Sequence, residues 1–214
     1  MMRLPGVYRP QGDTLLLAEQ LRGVGLWPGC RVLDLCTGTG VLAMTAAQGG
    51  AGPVTAVDLG GRAVLSARLN AWLRRAPVRV LRGDLFAPVA GEVFDVVVAN
   101  PPYVPGPATG PGRGRALAWN AGWDGRSVID RICARVPLML AAGGTLLMVQ
   151  SALSDVETTL GSLRAAGLKA SVVARRIQPF GPVLRSRAAL LEGRGLSRPG
   201  QRHEELVVVR ADQT

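Results

Sequence analysis

The run Asn100-Pro101-Pro102-Tyr103, which follows a strongly apolar segment, is the part of the sequence with the clearest chemistry. Pro101 disfavours helical geometry at Asn100, and both prolines fix their own φ angles at about −65°. The stiff turn projects the Asn100 side-chain oxygen and the Pro101 carbonyl oxygen as two acceptors, which can hold both hydrogens of a planar amino group. These four residues are therefore the candidate catalytic residues, with Tyr103 stacking on the flat face of that group.

A pair of fixed acceptors suits N-methylation. Amide and nucleobase nitrogens are poor nucleophiles because their lone pair is delocalised. Two acceptors favour a more pyramidal nitrogen and align it for in-line attack on a methyl carbon. No strong base is needed, since the proton can leave after the transfer. The single histidine, His203, argues against Ser-His-Asp catalysis, and three cysteines without a CxxC pair argue against a metal site or a disulfide framework.

A glycine-rich turn marks a candidate cofactor site. The first predicted strand ends in Asp34-Leu35-Cys36-Thr37-Gly38-Thr39-Gly40 and leads into a helix. Glycines let a ligand approach the backbone, and the free amides at the start of the helix attract polar groups. This turn alone fits both NAD and S-adenosylmethionine.

Three carboxylates favour S-adenosylmethionine. Asp34, Asp58 and Asp84 close three successive predicted strands. Asp58 can accept hydrogen bonds from both ribose hydroxyls. Asp84 can accept one from an adenine amine, with Leu85 and Phe86 on either side of the adenine ring. Acidic residues suit a cofactor that carries an ammonium and a sulfonium, whereas Asp34 would repel the pyrophosphate of NAD. We expect S-adenosylmethionine as cofactor, S-adenosylhomocysteine as product and no metal.

Strands and helices alternate along the chain, which predicts an α/β fold with a doubly wound parallel sheet whose ligands bind beyond the carboxyl ends of the strands. Near-continuous apolar runs predict buried strands at Arg31–Leu35, Val54–Asp58, Val78–Arg82, Phe94–Ala99 and Thr145–Gln150, with two further candidates at Ala170–Ile177 and Glu204–Arg210. Helical patterns cover Val41–Gln48, Arg62–Leu73, Ser127–Leu140 and Ser154–Ala166.

The length of 214 residues and a hydrophobic content of 48% predict one domain with an ample core. Within it, residues 1–30 are expected to cover the cofactor and residues 101–118 to form a substrate loop. Residues 179–203 form an arginine-rich insertion, for which two interpretations remain open. It is either a solvated, partly disordered segment or a substrate-binding one.

The formal net charge of +10 suggests an acidic partner such as nucleic acid or a ribosome-bound factor. The amino terminus has no apolar signal region, and no apolar run reaches about 18 residues. The sequence therefore predicts a cytoplasmic protein with no membrane partner.

With these motifs in place, the chain resembles the HemK-like release-factor glutamine methyltransferases, a family of seven-stranded, Rossmann-like S-adenosylmethionine-dependent enzymes. The likeness lies in Val7–Leu17, Asn100–Tyr103 and Trp119–Arg131, the last of which includes Gly125-Arg126. It implies sheet order 3-2-1-4-5-7-6 with strand 7 antiparallel. Because the first predicted strand begins at Arg31, we expect the short branch of this family, which lacks an N-terminal helical domain.

The resemblance also implies roles for individual residues. Tyr8 and Thr14, in the opening motif, would contact the cofactor. Asp34 and the turn at Cys36, Gly38 and Gly40 would hold its methionine end. Asp58 would bind ribose, Asp84 and Leu85 would bind adenine, and Asn100, Pro101 and Tyr103 would present the target nitrogen.

The expected substrate is a glutamine side-chain amide in a protein such as a translation release factor, and a small activator protein is a possible partner. The alternative is an exocyclic adenine or guanine amine of a nucleic acid, which fits the same acceptor pair and the basic charge. A small-molecule amine is a weaker third. A non-catalytic binding module would keep the glycine turn but would not need Asn100–Tyr103.

Overall fold

The computed structural model describes residues 1–106 and 119–214. A seven-stranded sheet forms its centre, with strand order β3-β2-β1-β4-β5-β7-β6. The strands are β1 (Pro28–Leu35), β2 (Gly52–Asp58), β3 (Val78–Arg82), β4 (Phe94–Ala99), β5 (Leu140–Ser151), β6 (Lys169–Pro179) and β7 (His203–Asp212). Strands β1 to β5 pair in parallel, and β7 runs antiparallel to both β5 and β6. The predicted fold class, order and orientation are confirmed.

Helices cover the sheet. They are α1 (Gly12–Arg22), α2 (Val41–Gln48), α3 (Gly61–Leu73), α4 (Ile129–Arg135), α5 (Val156–Ala165), α6 (Pro182–Ser186) and α7 (Ala188–Gly193). Helices α1 and α2 contact each other, and so do α4 and α5. The central strands β1 and β4 are buried along most of their length, because parallel strands between helices have no solvent-facing side. Burial of these apolar strands holds the sheet in place, and with it the turns at the carboxyl ends of the strands, which carry the sequence motifs.

Several boundaries differ from the sequence-based expectation. The predicted helix Ser127–Leu140 is shorter: α4 ends at Arg135 and a 3₁₀ turn, Val136–Leu138, follows. Pro137 explains this end, since proline has no N–H to continue the i→i−4 hydrogen bonds of α4. Strand β5 begins at Leu140, five residues earlier than predicted, and helix α1 was not predicted at all.

The arginine-rich insertion contains regular structure. Helices α6 and α7 lie within it, and Pro182 stands in the first turn of α6, where its fixed φ suits a helix start. Leu184 and Leu191 are buried in the core. The segment is therefore partly helical and anchored by two buried leucines, while most of its other side chains are at least partly exposed. Of the expected substrate loop, residues 101–106 are described, whereas residues 107–118 lie outside the described part of the chain.

Membrane-spanning helices and clusters of metal ligands are both absent from the described residues. None of the helices there has the length and apolar character needed to cross a membrane. Within the same ranges, no group of three or more histidine, cysteine, aspartate or glutamate side chains is placed to hold a metal ion.

Candidate active site

A cavity of about 570 Å³ opens at the carboxyl ends of β1 to β4. Its walls come from the turns that follow these strands and from residues 6–14 of the amino-terminal segment. The volume lies in the range of small-molecule sites, and the position is the one at which open α/β sheets bind ligands. Of the predicted site residues, the cavity is lined by Tyr8, Thr14, Cys36, Gly38, Asp58, Asp84, Leu85, Asn100, Pro101, Pro102 and Tyr103.

The turn after β1 has left-handed backbone at three positions, Cys36, Gly38 and Gly40. A Cβ added at Gly38 would meet no atom within 4 Å, so its backbone faces open cavity. Gly40 does not line the cavity; its backbone precedes α2, and a Cβ there would press on Met44 and Ala67. The close packing of α2 on α3 requires glycine here, and the contact of Gly40 with the cofactor stays a prediction.

Cys36 takes a φ of 57°, a strained value for a residue that is not glycine. Burial raises the pKa of its thiol well above the usual range, and three nearby carboxylates raise it further. The thiol is therefore protonated at neutral pH, and a protonated thiol is a poor nucleophile.

Asp34 is fully buried and lies outside the cavity wall. Its Oδ2 accepts hydrogen bonds from the Thr37 hydroxyl and from the Ala43 backbone N–H at 2.9 Å. Its Oδ1 is buried and has no hydrogen-bond partner among the described residues. The carboxylate thus holds the glycine turn to α2, and its contact with the cofactor stays a prediction.

Burial also raises the pKa of Asp34 to about 7, against the opposing effect of the hydrogen bonds from Thr37 and Ala43. A buried carboxyl without a counter-charge is harder to ionise. A cation in the cavity above would favour its charged form, so the group suits a positively charged ligand.

Asp58 closes β2 and faces the cavity. Its Oδ2 accepts from the Gly38 N–H at 2.8 Å, and its Oδ1 accepts from the Gly60 N–H at 2.8 Å. Burial raises its pKa while these two N–H groups lower it. Each carboxylate oxygen can accept a second hydrogen bond, so the pair can hold two neighbouring hydroxyls, as expected for a ribose.

Asp84 forms an ion pair with Arg131 of α4, at 2.7 Å between Oδ2 and Nη2. Both side chains are about half exposed and both line the cavity. Arg131 was not among the predicted site residues, because nothing in the sequence indicates that α4 returns to the end of β3. Exposed ion pairs contribute little free energy, so Asp84 can also accept a hydrogen bond from a ligand.

The amide group of Asn100 is oriented by Thr14. The Asn100 Nδ2 donates to Thr14 Oγ1 at 3.1 Å, and the Thr14 hydroxyl donates to Asp13 Oδ1 at 3.2 Å. A threonine hydroxyl has one proton, so a hydroxyl that donates to Asp13 must accept from Asn100. The Asn100 nitrogen is therefore held by α1, and its Oδ1 is left as an acceptor for the cavity.

Asp13 is the centre of this network and is only 2% exposed. Besides Thr14, it accepts hydrogen bonds at Oδ2 from the hydroxyls of Tyr8 and Tyr103, at 2.7 and 3.0 Å. Burial and the Asp13 charge raise the pKa of both tyrosines, which keeps them protonated as donors. Sequence analysis missed Asp13 because Tyr103 lies 90 residues away along the chain.

The backbone of Tyr103 has its own support. The Ser154 hydroxyl donates to the Tyr103 carbonyl at 2.7 Å, and a Cβ at Gly125 would lie 2.3 Å from the same oxygen. Gly125, with φ 80°, can be only glycine here. Arg126 is buried and donates to the carbonyls of Ser154 and Asp155. The Gly125-Arg126 pair singled out by the sequence therefore supports the Asn-Pro-Pro-Tyr turn.

Comparison with known proteins finds similar sequences. The methyltransferase small domain model matches residues 3–176. A Methanocaldococcus jannaschii protein that carries the name protein N5-glutamine methyltransferase is 34% identical over 177 residues, which cover 82% of this chain and 88% of the relative. The release factor glutamine methyltransferase of Deinococcus radiodurans is 38% identical over 174 residues, which cover 78% of this chain and 61% of that longer protein.

A solved structure is also similar. The E. cuniculi Mtq2-Trm112 complex, described as responsible for the methylation of the eRF1 translation termination factor, matches with a TM-score of 0.67 and 24% identity. The match covers 98% of this chain and 99% of the other. At this identity the likeness concerns the fold, and it includes the whole sheet.

We predict that Asp13→Ala lowers kcat by about tenfold to a hundredfold, the usual cost of losing a group that orients an active-site residue. Without Asp13 the Thr14 hydroxyl can donate to Asn100, whose amide then turns its nitrogen toward the cavity. Steady-state kinetics and calorimetry with S-adenosylmethionine check this, because cofactor affinity should change little. Glu19→Ala, which removes an exposed carboxylate from the same helix, is the matched control. An unchanged kcat in Asp13→Ala would contradict the assignment.

A second prediction concerns stability and pH. The pKa of Asp34 is about 7 in the folded protein against an ordinary value of 3.8, so between these values the folded state binds more protons than the unfolded one. Stability then falls as pH rises through this window. Asp34→Asn, which cannot ionise, should gain stability relative to wild type from about pH 4 to about pH 7. Denaturant unfolding of both proteins measures this, and a constant difference across the window would refute it.

Proposed function

The chain belongs to the methyltransferase small domain family, and on that basis we propose that it transfers a methyl group from S-adenosylmethionine to the side-chain amide nitrogen of a glutamine in a protein. The observation that carries this proposal is the orientation of Asn100. Its nitrogen is tied to Thr14, so its oxygen and the Pro101 carbonyl are available as a pair of acceptors. A primary amide offers two N–H donors in one plane, and two acceptors on a rigid turn are the complement of that group.

The residues present fit the cofactor. Asp58 has free acceptor capacity for two hydroxyls, Gly38 presents open backbone, and Leu85 and Asp84 border the cavity where an adenine ring and its amine would lie. The unpartnered Asp34 Oδ1 lies below the glycine turn and adds negative potential for a cationic ligand. S-adenosylmethionine supplies an electrophilic methyl group when bound, and S-adenosylhomocysteine is the second product.

The chain's own groups then act on the substrate nitrogen. Asn100 Oδ1 and the Pro101 carbonyl would accept its two N–H bonds, which favours a pyramidal nitrogen with its lone pair available for attack. Tyr103 is held by Asp13 at its hydroxyl and by Ser154 at its carbonyl. Its ring would stack on the flat face of the amide. The new N–C bond would form as the S–CH3 bond breaks, and the nitrogen would then release one proton to solvent, so no strong base is required.

The names of the relatives favour a protein substrate. The Methanocaldococcus protein is named for glutamine methylation and the Deinococcus protein for release factors, and we propose a release factor or a related translation factor as acceptor here. A nucleic acid is the second candidate, since an exocyclic amine fits the same acceptors and the net charge of +10 would attract phosphate. A small activator protein is a further proposed partner, because the similar E. cuniculi enzyme was solved as a complex with Trm112.

Radiolabelled S-adenosylmethionine identifies the acceptor class. The enzyme is incubated with cell extract, and the extract is then divided and treated with protease or with nuclease. We expect label that survives nuclease and is lost to protease, with mass spectrometry locating the methyl group on a glutamine. Label lost only to nuclease would overturn the protein substrate and favour the nucleic-acid candidate.

Two substitutions should divide cofactor binding from transfer. Asn100→Ala is expected to leave affinity for S-adenosylmethionine nearly intact and to cost roughly 3 kcal/mol in transfer, as for loss of one oriented polar group. Asp58→Ala should weaken that affinity by about tenfold or more, because ribose hydroxyls lose their charged acceptor. Calorimetry and transfer kinetics on both variants measure this. Equal losses of binding and turnover in Asn100→Ala would contradict its role.

A further inference from the structure

Two arginines of the segment 179–203 reach the chain on either side of residues 107–118. Arg187 Nη1 donates to the Pro105 carbonyl at 2.6 Å and to Asn120 Oδ1 at 3.0 Å. Arg194 Nη1 donates to the carbonyls of Gly106 and Trp123, both at 2.8 Å. Each guanidinium therefore bridges one residue that precedes 107–118 and one that follows it.

The two bridged stretches, residues 103–106 and 119–123, form one unit, here called the paired rim. Backbone hydrogen bonds join Val104 to Trp119 and Ala121, and the Gly106 N–H donates to the Gly122 carbonyl at 2.7 Å. A Cβ at Gly106 would collide with the Asn120 side chain, so the stretches lie in close contact. The paired rim begins at Tyr103, and four of its residues line the cavity: Tyr103, Val104, Trp119 and Asn120.

Electrostatics set these arginines apart from an ordinary solvated surface. Within residues 1–106 and 119–214, no carboxylate lies within 4.0 Å of either guanidinium, whereas Arg202 of the same segment pairs with Glu192 at 2.9 Å. Partial burial lowers the pKa of Arg187, and the nearby Arg194 charge lowers it further. Arg194 also lies over the ring of Trp123, 3.2 Å from its centroid, and that tryptophan is 55% exposed. The positive charges of Arg187 and Arg194 are thus bound by neutral oxygen atoms and one aromatic ring, and the two charges repel each other.

We propose that Arg187 and Arg194 are positioning residues for the protein substrate. By fixing both stretches of the paired rim, they fix the mouth of the cavity through which a glutamine side chain reaches Asn100. The arginine-rich insertion thereby acts on substrate entry through the rim, without touching the cofactor. This inference takes its substrate class from the proposed function. The bridging of the paired rim by Arg187 and Arg194, here called the clamp, rests on the hydrogen bonds given above.

The clamp is tested first by hydrogen exchange, which needs no substrate. Arg187→Met and Arg194→Met keep an apolar stem and remove the donors, and Arg185→Met and Arg198→Met are matched controls at exposed positions of the same segment. We expect faster exchange at the amides of Val104, Gly106 and Ala121 in the first two variants only, with central strand amides unchanged. Equal exchange in all four variants would overturn the clamp.

The role in substrate entry is tested by kinetics with a purified release factor as acceptor. We expect KM for the release factor to rise about tenfold in Arg187→Met and Arg194→Met, the change that corresponds to one charged hydrogen bond. The Kd for S-adenosylmethionine should stay at the wild-type value. We expect KM in Arg194→Lys to stay as high as in Arg194→Met, because a lysine cannot replace a guanidinium over the Trp123 ring while bridging two carbonyls.

The outcomes separate the two proposals. An active wild type with an unchanged KM in both methionine variants would overturn the substrate role alone. A parallel loss of cofactor affinity would show a general structural effect and would overturn it too. A wild type that methylates no protein would overturn the proposed function, and the substrate role with it, while hydrogen exchange would still report on the clamp.

Discussion

The buried carboxylate of Asp13 is the constraint on which the site depends. A negative charge that is 2% exposed is tolerable only when its oxygens are saturated with donors. Here the donors are the backbone and hydroxyl of Thr14 and the hydroxyls of two tyrosines. The hydrogen bonds to Asp13 hold Thr14, and Thr14 in turn orients the Asn100 amide. Asp13 also holds Tyr103, at the far end of the same turn. The hydrogen bonds that stabilise the buried Asp13 carboxylate therefore connect helix α1 to the loop after β4.

The sheet supplies the frame for that network. Parallel order gathers the ends of β1 to β4 at one edge, so residues 34, 58, 84 and 100 meet although they are far apart in sequence. Strain is concentrated at the same edge, where Cys36 and Leu85 have left-handed backbone. Such conformations persist because the surrounding strands and helices over-determine them. The amino-terminal segment then closes the cavity, held by Asn70, whose side chain bonds the Met2 backbone at both N–H and carbonyl.

Sequence reasoning located the sheet because buried parallel strands are near-continuously apolar, and the pattern needs no tertiary information. It located Asp58 and Asn100 because their chemistry is tied to strand ends and to proline geometry. It could not place Asp34 below the cavity, since type and position do not reveal which way a buried carboxylate turns. Asp13 and Arg131 were missed for another reason: Tyr103 lies 90 residues from Asp13 and Asp84 lies 47 residues from Arg131, and only the fold brings these pairs together.

A double-mutant cycle between Asp13 and Asn100 tests most directly whether Asp13 acts through the Asn100 amide. Methyl transfer by Asp13→Ala, Asn100→Ala and the double variant is compared with that of wild type. If Asp13 serves to orient Asn100, its removal costs much less once Asn100 is already alanine than it does in the wild type, and the loss that remains comes from its hydrogen bond to Tyr103. Losses that multiply in the double variant would show that the two residues contribute independently, and that outcome would contradict the account.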